Sequence, residues 1–250
     1  MTVNELQLEV ILEKILTSAE FFGKLSNGGL ADYYHLRRKY RQTVDDIVLT
    51  FSPENPVHLD VGSAEGNRAT RLSYSLNSQI TFCDNCPEMV KILKTLGETI
   101  EGNIEDLFFK EELFDKFDLI TCLGNVVGHS RSIHLVVESC KKLLKPGGVL
   151  IMDVHNRHNV KAYGWKSVTR NYLKDNLNYD YGTGYFPCQI GENKTLVKIH
   201  TEAEVEVLKF DGLKLSGKYY VNYETGNIVK NQFLGQLVYV LQKNQGSLGV

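Results

Sequence analysis

Between Val57 and Val154 short apolar runs alternate with stretches of helical periodicity, and no other feature restricts the fold of this chain as tightly. Val57–Val61 reads as a strand, Gly66–Ser75 as a helix and Ile80–Cys83 as the next strand. A helix follows through Met89, Val90, Ile92, Leu93 and Leu96, then a weak strand at Thr99, Ile100 and Glu101. Phe117–Leu123 is a strong strand, Ile133–Leu144 a helix, and Lys145-Pro146-Gly147-Gly148 a turn before a fifth strand, Val149–Val154. Strands separated by helices run parallel and are joined by right-handed crossovers, so the expected class is α/β with helices on both faces of one sheet.

The flanks read differently. Residues 1–51 are expected to be helical: Leu8, Ile11, Leu12, Ile15, Leu16 and Phe22 recur at helical spacing behind a cap at Asn4, and a second helix runs from about Leu30 to Phe51. Ser52-Pro53-Glu54-Asn55-Pro56 is a linker, because proline disfavours helix at the residue before it. From His155 to Lys198 the chain is rich in Tyr, Asn and Gly with little periodicity, which predicts a substrate lid inserted at 156–198 in a domain spanning 55–243. Thr201 and Glu204 have capping-box spacing, and Leu213–Tyr223 and Leu237–Gln242 supply the closing strands.

A formal net charge of −2 provides no field that gathers polyanions, so nucleic acid is not an expected partner. No apolar run approaches the ~18 residues that span a bilayer, and the first residues lack a secretory pattern. The five cysteines, an odd and scattered set, fit reduced thiols; the expected location is the cytoplasm. Cys83 and Cys86 have Cys-x-x-Cys spacing, but no second pair accompanies them, and an ordinary loop outweighs a metal or redox site.

The chemistry is expected at the strand ends. Asp60-Val61-Gly62-Ser63-Ala64-Glu65-Gly66 follows the first strand and opens a helix, and small residues at 62, 64 and 66 let the backbone turn sharply against a ligand. Asp84 ends the second strand, 18 residues beyond Gly66, where a carboxylate accepts ribose hydroxyls; Asn85 follows it. Asn103 and Ile104 offer a polar edge and an apolar face to an adenine, and Leu123, Gly124 and Asn125 end the fourth strand in the same crevice.

In this order the segments resemble class I S-adenosylmethionine (SAM)-dependent methyltransferases. The resemblance rests on Asp60–Gly66, Asp84, Phe117-Asp118-Leu119-Ile120, Leu144–Gly148 and Leu150-Ile151-Met152-Asp153. It implies a Rossmann-like seven-stranded, mostly parallel sheet whose last strand is antiparallel, with SAM as cofactor and Met89 above the adenine. Ala64 replaces a commoner glycine and Asn103 a commoner aspartate. Cys122–His129 and Asp153–Asn156 are similar to segments of glycine and other small-amine N-methyltransferases, and counting back from the glycine turn places Arg38 toward the SAM carboxylate. The resemblance thus implies methyl transfer to a small molecule, with an amine nitrogen preferred over an O- or C-acceptor and over a non-catalytic SAM-binding module.

An NAD-binding protein shares the glycine turn and ribose acid, but no separate catalytic domain follows here. Motifs of nucleic-acid amino-methylating and protein arginine-methylating enzymes are absent. His129 reads equally as a general base or as a helix-start histidine bonded to backbone. Asn125 and His155 complete the candidate catalytic set, while Tyr33, Tyr34, Asn156, Tyr181 and Tyr185 are candidates to line the acceptor site. Asp153 and Asn156 resemble ligands of metal-dependent methyltransferases, but no acid ends the fourth strand, so no metal is expected.

Overall fold

The computed structural model describes residues 15–26, 35, 37–177, 184–208 and 211–245. The expected alternation is present: β1 (Val57–Val61), α3 (Asn67–Leu76), β2 (Gln79–Asp84), α4 (Pro87–Leu93), β3 (Glu98–Glu101), β4 (Phe117–Cys122), α5 (Val126–His129), α6 (Ile133–Leu143) and β5 (Leu144–Val154). After them come β8 (Leu213–Val221), β9 (Ile228–Val229) and β10 (Gln236–Lys243). The sheet order is β3-β2-β1-β4-β5-β10-β8-β9. β1 to β5 pair in parallel, and β10 runs antiparallel between β5 and β8. The sheet has eight strands rather than seven: the extra one is the two-residue edge Ile228–Val229, too short to show as a period in the sequence.

Burial alternates with the pleat, as it must in a sheet covered on both faces. On β5, Leu150, Met152 and Val154 join one core cluster while Val149 and Ile151 join the other. The adjacent β10 divides the same way, Leu237, Tyr239 and Leu241 against Val238 and Val240. Helix α2 (Arg38–Phe51) covers the second face with Tyr40, Val44, Ile47 and Val48, at helical spacing. Each such buried aliphatic stabilises the fold by ~1.5–3 kcal/mol relative to exposure. The pattern also corrects the turn at residues 145–148: these belong to β5, with a register shift between Phe117 and Leu119 and Gly147 at φ +81°.

Two expectations about the flanks change. Helix α1 (Ser18–Leu25) begins at its own capping box, Thr17 with Glu20, while Leu16 bridges Thr195 in extended backbone. The helix therefore does not run unbroken into Phe22 from the Asn4 cap, which lies outside the described residues. The 156–198 segment is not irregular where described. It holds α7 (Val160–Tyr163), α8 (Trp165–Leu177) and a hairpin of β6 (Gly184–Ile190) and β7 (Asn193–Ile199). Its polar and aromatic residues hide the period because most face solvent. As the capping-box spacing predicts, Thr201 caps α9 (Glu202–Glu206) by accepting from the Glu204 N–H. Among the described residues no helix is long and apolar enough to cross a membrane.

Candidate active site

The order reverses at β1, whose neighbours β2 and β4 send their chains to opposite sides, and a crevice opens at the carboxyl ends of these strands. A cavity of about 780 Å³ occupies it. The glycine turn forms its floor. Gly62 and Gly66 hold φ of +68° and +77°, and the Gly62 and Ser63 N–H groups donate to the Cys83 carbonyl at 2.8 and 3.2 Å. A Cβ on Gly62 would stand 2.4 Å from Val126 Cγ2, so the turn admits no side chain there. Ala64 also sits at positive φ, +50°, which explains why glycine is commoner at that position.

Asp84 ties the turn to the second strand. Its carboxylate accepts from the Ala64 N–H at 2.8 Å and the Cys86 N–H at 2.9 Å, and burial raises its pKa. Carboxylate lone pairs remain for ribose hydroxyls. Asp60 lies beneath, accepting from Thr121 at 2.6 Å, and burial pushes its pKa up to about 6. Thr121 in turn meets His58 Nε2 at 2.8 Å; burial holds that imidazole down to about 3, so it is neutral and Nε2–H is the donor.

Gly102 and Gly124 supply the cradle. Both line the cavity at positive φ, and a Cβ added to either meets nothing within 4 Å. Open space at a backbone that only glycine readily adopts is what a closely approaching ligand requires. Asn85 donates to Asn103 at 2.8 Å beside them, with Ile104 on the wall. This donor set fits a nucleoside cofactor such as SAM: a ribose acid, an amide pair and an apolar face around a backbone cradle.

The far wall is aromatic. Asn125, itself at φ +66°, anchors it: its N–H donates to Asp153 Oδ1 at 2.7 Å and its Oδ1 accepts from the His155 N–H at 3.2 Å. Tyr40 donates to the other Asp153 oxygen at 2.9 Å. His155 Nε2 lies 2.6 Å from the Tyr223 hydroxyl, and Arg37 stacks over the Tyr223 ring with its guanidinium carbon 4.5 Å from the centroid. Burial, with the Arg37 charge behind it, lowers the His155 pKa well below its ordinary value. His129 packs edge-on to Phe22, and burial lowers its pKa to about 4. Its Nδ1 is buried with no hydrogen-bond partner among the described residues.

The cavity thus brings together Asp60, Gly62, Ser63, Ala64, Gly66, Asp84, Asn85, Asn103, Ile104, Leu123, Gly124, Asn125, His129 and His155 from the sequence-based set. Four others stand elsewhere. Arg38 is exposed, because one residue along a helix turns a side chain about 100°; Arg37 and Arg41, four apart, face the cavity instead. Met89 is packed with Phe21, Leu25 and Cys86 behind the cavity wall. Asn156 is a buried brace that donates to the Gln232 and Gly235 carbonyls at 2.6 and 2.9 Å. Tyr185 is exposed on β6, whose neighbours Phe186 to Ile190 line the cavity. Tyr33, Tyr34 and Tyr181 lie outside the described residues.

Sequence reasoning missed Arg37, Gly102, Tyr163, Phe186 and Tyr223. Only the first carried a signal, the four-residue spacing to Arg41.

Comparisons with known proteins agree with this geometry. Residues 59–152 match the family model described as a methyltransferase domain. A ubiquinone biosynthesis O-methyltransferase of Xanthomonas campestris is 27% identical over 181 residues, spanning 66% of this chain and 72% of that protein. Among solved structures, a SAM-dependent methyltransferase of Thermotoga maritima, described as a possible histamine N-methyltransferase, superposes with a TM-score of 0.59. It is 16% identical, over 90% of this chain and 98% of that one. The Burkholderia thailandensis 1,6-didemethyltoxoflavin-N1-methyltransferase, solved with S-adenosylhomocysteine, gives 0.59 at 14% identity over 90% and 87%. The sheet order and the cradle at the strand ends have the fold of these SAM-dependent methyltransferases, and the match over residues 59–152 to a methyltransferase domain supports an enzyme whose cofactor is SAM.

Proposed function

We propose that the chain methylates a nitrogen nucleophile of a small molecule. The observation that carries this reading is His129: an imidazole on the cavity wall whose pKa burial lowers to about 4, so that it stands neutral beside the acceptor. Bound SAM supplies a methyl group already activated on a sulfonium. The protein then has to align the acceptor and exclude water. A protonated amine has no lone pair to attack with, and a desolvated cavity favours the uncharged form. The neutral His129 ring on the wall would take the acceptor's N–H and leave the nitrogen lone pair directed away from the imidazole. Asn125 and Asp153 fix the strand ends where the methyl group would be presented. Arg37 and Arg41, rather than Arg38, are the basic side chains placed to meet the cofactor carboxylate.

The lid expected at 1–51 and 156–198 is represented in this reading by its described parts, helix α1 and the β6–β7 hairpin. Thr195 Oγ1 donates to the Leu16 carbonyl at 2.9 Å, so helix α1 and the hairpin close over the cavity as one cover.

A second reading, O-methylation, draws support from the Xanthomonas relatives, which are named as O-methyltransferases. The same imidazole would accept a hydroxyl proton. Incubation with SAM and a mixed amine and phenol library, followed by product mass spectrometry, separates the two. N-methylated products that vanish in His129→Ala are expected. Products methylated only on oxygen would replace the nitrogen reading, and no methylated product from any acceptor would overturn both.

A further inference from the structure

We infer that the acceptor is a planar aromatic molecule whose nucleophilic atom is uncharged at neutral pH, such as an aryl amine, a ring nitrogen or a phenol, and not an aliphatic ammonium. This rests on the methyl-transfer reading above and names the substrate class of that same site. The first ground is the wall itself. Edge-on aromatic pairs face the cavity, among them Phe22 with His129 at 5.2 Å between centroids, Tyr163 with Phe186 at 4.7 Å, and His155 with Tyr223 at 5.9 Å. Such pairs present ring faces and edges that complement another ring.

The second ground is charge. An aliphatic amine arrives as a cation and needs a carboxylate to hold it once water is removed. Among the described residues the cavity's carboxylates are Asp60, Glu65, Asp84, Glu105 and Asp153, all on the strand-end floor or the loops that leave it. Four of them already accept hydrogen bonds from the protein's own backbone or side chains: Asp60 from Thr121, Asp84 from Ala64 and Cys86, Glu105 from the Arg131 N–H, and Asp153 from Tyr40 and Asn125. Glu65, the fifth, takes the Asn67 amide on the glycine turn itself. The aromatic wall offers instead a guanidinium, Arg37, and two neutral imidazoles. The carboxylates are held by the protein's own donors, and an uncharged ring needs no ion pair there.

Tyr223 is the residue this assigns to acceptor recognition. The Tyr223 hydroxyl lies 2.6 Å from His155 Nε2 and accepts from Arg37 Nη1–H at 3.4 Å, which fixes its ring on the cavity wall.

The test uses the full chain saturated with S-adenosylhomocysteine and saturation-transfer NMR at neutral pH, with aniline, phenol and imidazole as ring probes against ethylamine and glycine. Calorimetry first measures S-adenosylhomocysteine affinity in wild type, Phe186→Ala and Tyr223→Phe. Ring probes should bind selectively and lose about fivefold or more in Phe186→Ala, a half-exposed hairpin position, and in Tyr223→Phe. Equal or tighter binding of the aliphatic probes, or ring binding indifferent to both variants, overturns the aromatic assignment while leaving the methyl-transfer reading intact. Failure of S-adenosylhomocysteine to bind at all overturns that reading and this inference with it.

Discussion

The two halves of the cavity are built on different principles. The cofactor half is made of backbone at strand ends: Gly62, Gly66, Gly102 and Gly124 at positive φ, with Asp84 holding the turn through two N–H groups. The acceptor half is made of side chains delivered by elements far apart in sequence, Phe22 from α1, Arg37 beside α2, Phe186 from β6 and Tyr223 after β8. A backbone cradle tolerates few substitutions and fixes one ligand class. A side-chain wall on peripheral elements can change acceptor without disturbing the sheet.

The largest expected effect breaks the cofactor half alone. Gly62→Ala combines a strained φ with a Cβ 2.4 Å from Val126 and should destabilise the fold by ~2–4 kcal/mol, read from urea midpoints. Asp84→Ala removes the carboxylate placed to accept the ribose hydroxyls; one charge-assisted bond of ~1.5–3 kcal/mol lost lowers S-adenosylhomocysteine affinity by ~10-fold or more by calorimetry. Phe186→Ala should leave that affinity nearly unchanged.

Acidification draws on both halves. The folded state holds His58 down to about 3 and His129 to about 4, against an ordinary 6.5, so their stabilisation is full above pH 6.5 and lost as pH falls through that window. Asp60, raised to about 6 from 3.8, acts oppositely: its contribution is present below 3.8 and lost as pH rises through 6. His155, also held well down, adds to the two histidines, and Asp84, raised by burial, adds to Asp60. The histidines outweigh the carboxylates, so stability should drop by about 2 kcal/mol or more between pH 7 and 5. Denaturation midpoints across that range should flatten in His58→Gln, which removes the sheet's share, and in His129→Gln, which removes the acceptor wall's share.

Smaller effects sharpen the boundary between brace and site. Asn156→Ala strands the Gln232 and Gly235 carbonyls and should cost about 2 kcal/mol in thermal unfolding, with cofactor affinity of the folded protein unchanged. Arg38→Ala should change neither stability nor affinity beyond ~0.5 kcal/mol, whereas Arg37→Ala loses both the stack on Tyr223, ~1 kcal/mol, and a partner for the cofactor carboxylate, seen as weaker binding of ring probes and of S-adenosylhomocysteine.

The same division explains what is legible in the sequence. Alternating apolar strands, the glycines at 62 and 66 and Asp84 are local signals, each spelled within a few residues of the backbone it shapes, and the structure places them as expected. Tyr223 and Phe186 carry no local signal, because their role depends on which elements fold together over the strand ends. Arg38 was one residue from Arg37, an offset that counting along the chain cannot resolve but helical facing can. Met89 and Asn156 are apolar and polar side chains at plausible positions whose own packing turns them away from the cavity.

Calorimetric titration of the purified chain with SAM, S-adenosylhomocysteine and NAD tests the central claim most directly, with Asp84→Ala as control. Micromolar-range binding of the two SAM-type ligands alone, weakened by the substitution, is the expected result. Binding of NAD in their place, or of none of the three, would contradict the assignment of the glycine cradle to SAM.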